Sequence, residues 1–348
     1  MPVRKMRNSW YVDFRYGYKR YRFKSKVNTK SGAMAYEAHL YSKLLAGKPI
    51  HDEPREKPMT FEQFSRLWIE RYAKANNKYS EIISKESVLK NNLLPFFGKL
   101  PLDKITSMKI EEYKFLMIKK RSKRTGGILS AKTLRNHLSI LRKCLNTAVE
   151  WEYLEAPPLI RMPKTSPSGY RYLTYEESER LLRATSGRWH DMILLALKAG
   201  LRFGEIIALT WRDFDFENMK LCINKSVVRG RLGSTKTYKT RYVDLHERIR
   251  QCFQNKMQEK ENLVFPSEVG GFINQKRACD ELERIYKRAG LQPIGWHALR
   301  HTCASHLASK GAPLLAVQTL LGHSDIQTTM RYAHLCPSVG ARAISLLE

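Results

Sequence analysis

Closely spaced cysteines and long apolar runs are both absent from this 348-residue chain. The six cysteines stand far apart, at Cys144, Cys222, Cys252, Cys279, Cys303 and Cys336. That spacing excludes a zinc knuckle or ribbon and indicates reduced, mostly buried thiols. No stretch approaches the roughly 20 apolar residues of a membrane span, and no signal-length apolar run follows the basic start. We therefore expect a cytoplasmic protein without a membrane partner.

Acidic residues are scarce relative to basic ones. The chain has 33 Asp and Glu against 62 Lys and Arg, a formal net charge of +29. The excess is +9 in residues 1–58, +11 in 59–164 and +9 in 165–348, so it is not confined to one tail. A solubility surface is one interpretation, but a same-sign excess along the whole chain is more typical of a protein that wraps a polyanion. We predict nucleic-acid binding.

Residues 1–56 predict a small β-sheet-plus-helix module. Aromatic and basic residues alternate around a turn at Tyr16-Gly17-Tyr18, which indicates a hairpin over residues 8–26, and residues 30–46 have helical spacing. One face of the hairpin would be aromatic and the other cationic. The cationic residues are candidate DNA contacts: Arg15, Lys19, Arg20, Arg22 and Lys24. The alternative is a solvated cationic face over an aromatic half-core. Residues 47–58 read as a linker.

Residues 59–164 predict an all-helical domain of four helices. The first opens with a capping box, Thr60 to Gln63, and the second covers residues 80–94 and stops before Pro95. The third follows Thr106-Ser107, and the fourth begins at Ser130. A basic loop between the last two holds further candidate DNA contacts, Lys119, Lys120, Arg121, Lys123 and Arg124. Contact with phosphates and a solvated loop are the two interpretations of that loop.

Residues 171–348 predict a mixed α+β domain. Thr174 and Glu177 cap its first helix. Strands are expected at residues 220–228, 241–245 and 263–265, with a Gly- and Lys-rich turn joining the first two. The other predicted helices cover residues 191–199, 247–260, 275–289, 297–309, 313–321 and 325–332, and a short final helix covers 338–347.

Three segments of this last domain hold side chains that suit phosphodiester cleavage without a metal. They read Gly-Leu-Arg-Phe-Gly-Glu (200–205), His-Ala-Leu-Arg-His (297–301), and Leu-Leu-Gly-His (320–323) with Thr-Thr-Met-Arg-Tyr-Ala-His (328–334). Two arginines can clamp the non-bridging oxygens of a phosphate, where charge develops in the transition state. A tyrosine oxygen can attack phosphorus, and histidines or a lysine can move protons.

The three segments together resemble the boxes of the tyrosine recombinase family of the phage-integrase type. The resemblance extends to the order of the domains: an arm-type DNA-binding domain (1–56), a helical, SAM-like core-binding domain (59–164) and a catalytic domain (171–348). It implies a mainly α multidomain fold with small sheets. It also implies a site-specific recombinase, of a phage or another mobile element, that works through a 3′-phosphotyrosyl intermediate and a Holliday junction.

The family's residue roles map onto this chain as follows. Tyr332 resembles the nucleophile, and Arg202 and Arg300 resemble the phosphate-clamping arginines. His297 resembles the histidine that bonds the phosphate or helps to deprotonate the tyrosine, and His323 occupies the His/Trp position. The remaining two are Glu205, which supports the first arginine, and Lys236, the general acid of a β-hairpin turn, with Lys239 as its rival. His301 is not one of the family's catalysts, and we interpret it as structural or hydrogen-bonding.

The resemblance also implies partners and cofactors. The partners would be double-stranded DNA, at core-type and arm-type attachment sites, three further protomers in a homotetramer, and host DNA-bending or excision accessory proteins. The reaction conserves phosphodiester energy, so no metal or cofactor is expected. A zinc site at His297 and His301 is disfavoured because no third ligand has fitting spacing. The competing functions are a type IB topoisomerase-like enzyme and a non-catalytic DNA-binding regulator.

Overall fold

The computed structural model describes residues 3–6, 8–25, 27–47, 58–121, 126–165, 169–234 and 240–337. The chain divides into two compact units, residues 1–165 and 166–348. In the described ranges, the architecture is mainly helical with three small antiparallel sheets, which confirms the predicted fold class. None of the helices in these ranges is both long and apolar enough to cross a bilayer.

The first unit begins with a three-stranded sheet covered by one helix. The strands are β1 (Val3–Met6), β2 (Ser9–Tyr16) and β3 (Lys19–Lys24), and the helix is α1 (Lys30–Leu45). The predicted hairpin and helix agree with this structure. Strand β1 was not predicted, because Val-Arg-Lys-Met is too short to show a clear alternation. This segment is a strand because it pairs with β2. The core under the sheet consists of Val3, Val12, Phe14, Ala33 and Leu40.

A second hydrophobic cluster of this unit lies among the helices of residues 59–165. The helices are α2 (Phe61–Trp68), α3 (Lys74–Asn76), α4 (Tyr79–Val88), α5 (Leu94–Phe97), α6 (Ser107–Lys119) and α7 (Ala131–Glu150). The capping box at Thr60 and Gln63 forms as predicted, and Ser130 caps α7.

Two π-helical turns each connect a pair of consecutive α-helices. The sequence pattern predicts the first pair as a single helix and the second as a helix that stops before Pro95. One joins α2 to α3 (Ile69–Ala73) and the other joins α4 to α5 (Leu89–Leu93). The prediction that the second helix stops before Pro95 is therefore wrong. Proline has no backbone N–H to donate, and the π turn that ends directly before the first turn of α5 accommodates it.

The second unit contains α8 (Tyr175–Arg183), α9 (Gly187–Lys198), α10 (Phe203–Ile206), α11 (Glu247–Phe253), α12 (Gln275–Arg288), α13 (Trp296–Ser309), α14 (Leu314–Leu321) and α15 (Gln327–Met330). Its strands are β4 (Phe214–Asp215), β5 (Lys220–Ile223), β6 (Lys225–Val228), β7 (Arg231–Ser234) and β8 (Arg241–Asp244). One sheet has the order β4-β5-β8, and β6 and β7 form a separate hairpin.

Several predicted elements of the second unit differ from the structure. The strand expected over residues 220–228 is two strands in two sheets, because the chain leaves the first sheet at Asn224 and turns back at Gly230. The expected strand at 263–265 makes only a single bridge, from Leu263 to Thr210. The helices expected over 247–260 and 325–332 are shorter, ending in one case with a 3₁₀ turn (Gln254–Lys256). The predicted final helix, 338–347, lies outside the described residues.

Candidate active site

Arg300 is one of the two most deeply buried charged groups among the described residues of the second unit. Helix α13 carries it, and its side chain is 1% exposed. Its guanidinium donates from Nη1 to the carbonyl oxygen of Gly200, at 2.8 Å, and from Nη2 to that of Leu321. Burial, followed by the like charge of Arg202, lowers the pKa of Arg300 to about 9, which leaves the group charged at neutral pH. Arginine has five N–H donors, so these two bonds leave donors for an anion.

Gly200 makes this close approach possible. Its φ is +63°, a conformation that side chains rarely adopt. A Cβ atom at this position would lie 2.7 Å from the Cδ2 atom of Leu321. The glycine thus permits the loop before α10 to pack against the end of α14, and two carbonyls from these segments hold Arg300.

Glu205 links two arginines beneath the site. Its carboxylate is 1% exposed and accepts Arg202 Nη1 at 2.7 Å and Arg241 Nη2 at 2.7 Å. Burial alone would raise the pKa of Glu205, but the hydrogen bond from Arg241 and the charges of Arg241, Arg202 and Arg300 outweigh it and hold the pKa at about 2. The pair of Arg202 with Glu205 is therefore not a surface salt bridge, and Arg202, 23% exposed, has donors free to face solvent.

Tyr332 follows α15 and is completely buried. Its ring packs in a small cluster with Ala304, Ala308 and Leu321, and the edge of the Tyr170 ring lies against it at 5.5 Å between centroids. The hydroxyl lies 2.5 Å from Nδ1 of His301. Burial raises the pKa of Tyr332 to about 12, while the charges of Arg331 and Arg300 act in the opposite direction.

His323 lies two residues beyond the end of α14. Gly322 ends that helix in the left-handed conformation, with φ of +64°, and a Cβ there would lie 2.8 Å from Cδ of Arg241. Nδ1 of His323 lies 2.9 Å from the hydroxyl oxygen of Thr329, a buried residue of α15. Burial, helped by the charges of Arg300 and Arg202, lowers the pKa of His323 to about 4, so the imidazole is neutral.

Five of the predicted residues interact electrostatically with one another. The charges of Arg202 and Arg300 act on both His323 and Glu205, and that of Arg300 also acts on Tyr332. His297 is exposed on α13, with its ring 4.6 Å from that of His301. Lys236 and its rival Lys239 lie outside the described residues.

Two residues of the site have partners that the sequence does not predict. Arg241 was seen only as the start of a strand, yet it bonds Glu205 through two nitrogens and the carbonyl of Leu320 at 3.2 Å. The sequence predicts His301 to be structural or hydrogen-bonding, and the structure shows that its hydrogen-bond partner is the Tyr332 hydroxyl. The signal for His301 was its position one turn after His297 and next to Arg300. Nothing in the local sequence pairs Arg241 with a glutamate 36 residues earlier.

The candidate DNA contacts of the sheet are arranged around one carboxylate. Asp13 on β2 is 5% exposed at its side chain and pairs with Arg4, Arg20 and Arg22. Strand register places these groups, with exposed Arg15 and Lys24, opposite the face that carries Val12 and Phe14. The backbone of Lys19 belongs to β3.

The aromatic side chains of this sheet divide between its core and solvent. Phe14 is buried, and Trp10, Tyr21 and Phe23 pack partly against it, whereas Tyr18 is fully exposed at the turn. The predicted separation of aromatic and cationic faces is thus present in part, because Tyr11 pairs with Lys24 and lies on the cationic face.

The candidate contacts of the second basic segment are partly described. Lys119 ends α6 with its ammonium 4.0 Å from the Phe115 ring centroid. Lys120 donates to Asn92 at 3.3 Å, and Arg121 is exposed in a bridge to Ile128. Lys123 and Arg124 lie outside the described residues.

Comparison with known proteins identifies the family. Residues 171–338 match the phage integrase family, and residues 60–115 match the phage integrase N-terminal SAM-like domain. A tyrosine recombinase XerC of Xanthomonas axonopodis is 30% identical, over 60% of this chain and 68% of its own length. The chain belongs to the phage integrase family of tyrosine recombinases. It is accordingly an enzyme of site-specific recombination that cleaves and rejoins DNA.

Two further likenesses extend over longer parts of this recombinase. The integrase of Salmonella phage P22 is 25% identical over 95% of this chain and 90% of its own. The fold resembles that of the Tn1549 transposon integrase in complex with circular intermediate DNA, with a TM-score of 0.69, 23% identity, and coverage of 82% of this chain and 98% of that one. Family membership disfavours the non-catalytic regulator as an alternative.

Proposed function

We propose that this recombinase is the integrase of a phage or another mobile element and that Tyr332 is its nucleophile. Tyr332 attacks the scissile phosphorus, forms a 3′-phosphotyrosyl bond and releases a 5′ hydroxyl, and strand exchange then produces a Holliday junction. The observation that supports the proposal is the Tyr332 hydroxyl, which lies 2.5 Å from Nδ1 of His301 and is acted on by the charge of buried Arg300. A buried cation of this kind stabilises charge that develops on a phosphate.

The other residues have roles that follow from their surroundings. Arg202 and Arg300 clamp the non-bridging oxygens of the phosphate, and Glu205 holds Arg202 in place through the 2.7 Å ion pair. Neutral His323 and the exposed His297 bond the phosphate. Lys236, rather than Lys239, protonates the leaving 5′ oxygen. None of these steps uses a metal ion or an organic cofactor.

Replacement of the nucleophile tests the proposal directly. Tyr332→Phe should bind attachment-site DNA with unchanged affinity but form no covalent adduct on a nicked suicide substrate, because the oxygen that would bond to phosphorus is missing. Tyr170→Phe is the matched control, since its ring packs against that of Tyr332 but its hydroxyl lies 3.4 Å from Ser305. Full adduct formation by Tyr332→Phe would remove Tyr332 from the mechanism.

The assembly and the DNA contacts belong to the same proposal. A solved structure of λ integrase, similar in fold at a TM-score of 0.62, is a tetramer bound to a Holliday junction. We infer that four copies of this chain join two duplexes, each through a core-binding domain (59–164) and a catalytic domain (171–348). The domain of residues 1–56 binds separate arm-type sites through its cationic sheet face. Since these substrates are chromosomal and element DNA, the reaction takes place in the bacterial cytoplasm, with host DNA-bending and excision proteins as accessories.

A further inference from the structure

The residue in contact with the Tyr332 oxygen is His301. The separation of 2.5 Å between the hydroxyl and Nδ1 is that of a short hydrogen bond. Tyr170 packs against both rings, with centroids 5.0 Å from His301 and 5.5 Å from Tyr332. The Tyr170 ring therefore covers this pair, and the phenol oxygen has an imidazole nitrogen as its partner in the hydrogen bond.

The surroundings keep this imidazole neutral, so that its unprotonated nitrogen can accept a hydrogen bond. The groups that face His301 are His297 and Arg300 on its own helix, Arg331 and Tyr332 from the segment after α15, and Tyr170. Burial, followed by the charges of His297, Arg331 and Arg300, lowers the pKa of His301 to about 4. A neutral imidazole has one nitrogen that donates and one that accepts, so the phenol can donate its proton to Nδ1.

Tyr332 needs such an acceptor. With a pKa of about 12, only about one phenol in 10⁵ is ionised at pH 7 without help. His297, the family's counterpart for this task, is exposed and has its ring centroid 4.6 Å from that of His301. The two histidines, one helical turn apart on α13, therefore have different surroundings: one is open to solvent and the other touches the reacting oxygen.

We propose that His301 is a catalytic residue that takes the phenolic proton of Tyr332, an inference that rests on the proposed role of Tyr332 as nucleophile. As the Oη–P bond forms, the O–H bond of the phenol breaks and its proton moves to Nδ1 of His301. The P–O5′ bond breaks at the same time, and the general acid of the site protonates the 5′ oxygen. On rejoining, His301 returns its proton to the phenol oxygen. His297 is then left to bond the phosphate.

Cleavage of a suicide substrate by the full chain, measured at saturating DNA, tests this assignment. Loss of a general base typically costs 10²–10⁴-fold in rate, so His301→Ala should cleave about 10²-fold or more slowly. His301→Gln keeps a hydrogen-bonding group near the phenol but cannot take up its proton, and it should be equally slow. His306→Ala is the control, because the ring of this half-buried histidine of the same helix contacts the carbonyl of Leu173, at 2.8 Å, and stacks on the ring of Tyr175.

Replacing Tyr332 with a more acidic phenol tests whether His301 acts as a base or only as a structural residue. With 3-fluorotyrosine at position 332, the loss caused by His301→Ala should shrink by about tenfold or more, because the nucleophile then needs less help to ionise. The loss caused by His297→Ala should stay the same. The assignment is overturned by an unslowed His301→Ala, by restored cleavage in His301→Gln, or by a loss that the fluorinated residue leaves unchanged. Cleavage by Tyr332→Phe would instead overturn the proposed function itself.

Discussion

At the scale of single residues, the positions of the candidate catalytic side chains depend on hydrogen bonds from other side chains. Arg241 makes three hydrogen bonds, two to Glu205 and one to the carbonyl of Leu320, and only 10% of its side chain is exposed. It thereby connects strand β8 to the loop of Arg202 and to the end of α14. Both connected segments also supply the carbonyls that hold Arg300, so one buried ion-pair network determines where both clamping arginines lie.

Arg241→Gln should both destabilise the protein and abolish efficient cleavage. Glu205 would remain buried with one arginine instead of two, and breaking a buried ion pair costs about 3–5 kcal/mol. Urea unfolding and suicide-substrate cleavage measure the two effects. Arg250→Gln breaks a solvent-exposed pair with Glu247, which should contribute little to stability because water screens it, and serves as the control. Equal stability of the two variants would mean that Arg241 is not a structural support of the site.

At the scale of elements, the N-terminal sheet organises its cations before any ligand is bound. Asp13 lies between arginines of β1 and β3 and is nearly buried by them. A carboxylate that accepts from several guanidiniums restricts their rotamers, and less side-chain entropy is then lost when they meet a phosphate or a base edge. This arrangement explains why an acidic residue occupies the middle of an otherwise cationic face.

Asp13→Asn should lower the preference for arm-site DNA even though it makes the protein more positive. The arginines would be less ordered, while the general attraction to phosphates would rise slightly with the added charge. Competition between arm-site and random duplexes, monitored by fluorescence anisotropy at two salt concentrations, measures the ratio of the two binding affinities. Asp103→Asn, a change of the same charge at a half-exposed pair with Lys104, should leave the ratio unchanged. A preserved ratio in Asp13→Asn would refute this role.

At the scale of the whole molecule, neutral histidines that are buried or partly buried link stability to pH. His137, which contacts the Tyr113 hydroxyl at 3.0 Å in the first unit, has its pKa lowered to about 4 by burial and then by the charge of Lys120. His301 and His323 in the second unit are lowered to the same value, again mainly by burial. The unfolded chain, with ordinary histidine pKa values near 6.5, therefore binds more protons than the folded chain between about pH 6.5 and 4.

Stability should consequently fall as the pH is lowered from 7 to 5. Each histidine that stays neutral in the fold should contribute about 2 kcal/mol to that loss. Glu205, with a pKa of about 2 in the fold, contributes little over this range, because the ordinary glutamate pKa of the unfolded chain also lies below pH 5. Urea unfolding at the two pH values measures the effect, and His137→Gln should reduce it without touching the active site. Identical unfolding free energies at pH 7 and pH 5 would contradict the buried-neutral assignment.

Local sequence patterns were sufficient to predict a structural feature where one short segment contains all the residues that form it. Capping boxes at Thr60 and Thr174, the hairpin turn at Gly17 and the apolar spacing of α7 each involve residues within a few positions of one another. Patterns failed where a partner lies elsewhere in the chain. Strand β1 depends on β2, Pro95 is accommodated by a π turn, and the stretch at 263–265 makes only one bridge.

The sequence by itself determined the family, the mainly helical class and which residue types do the chemistry, because the three motif segments lie in short stretches and the charge excess is a property of composition. Only the tertiary structure decided which side chains meet. Arg241 reaches Glu205 across 36 residues, and His301 meets the Tyr332 hydroxyl across 31. Such contacts arise when separate segments of the chain pack into one core. The sequence pattern of a helix or strand predicts that element alone and not its distance from another element.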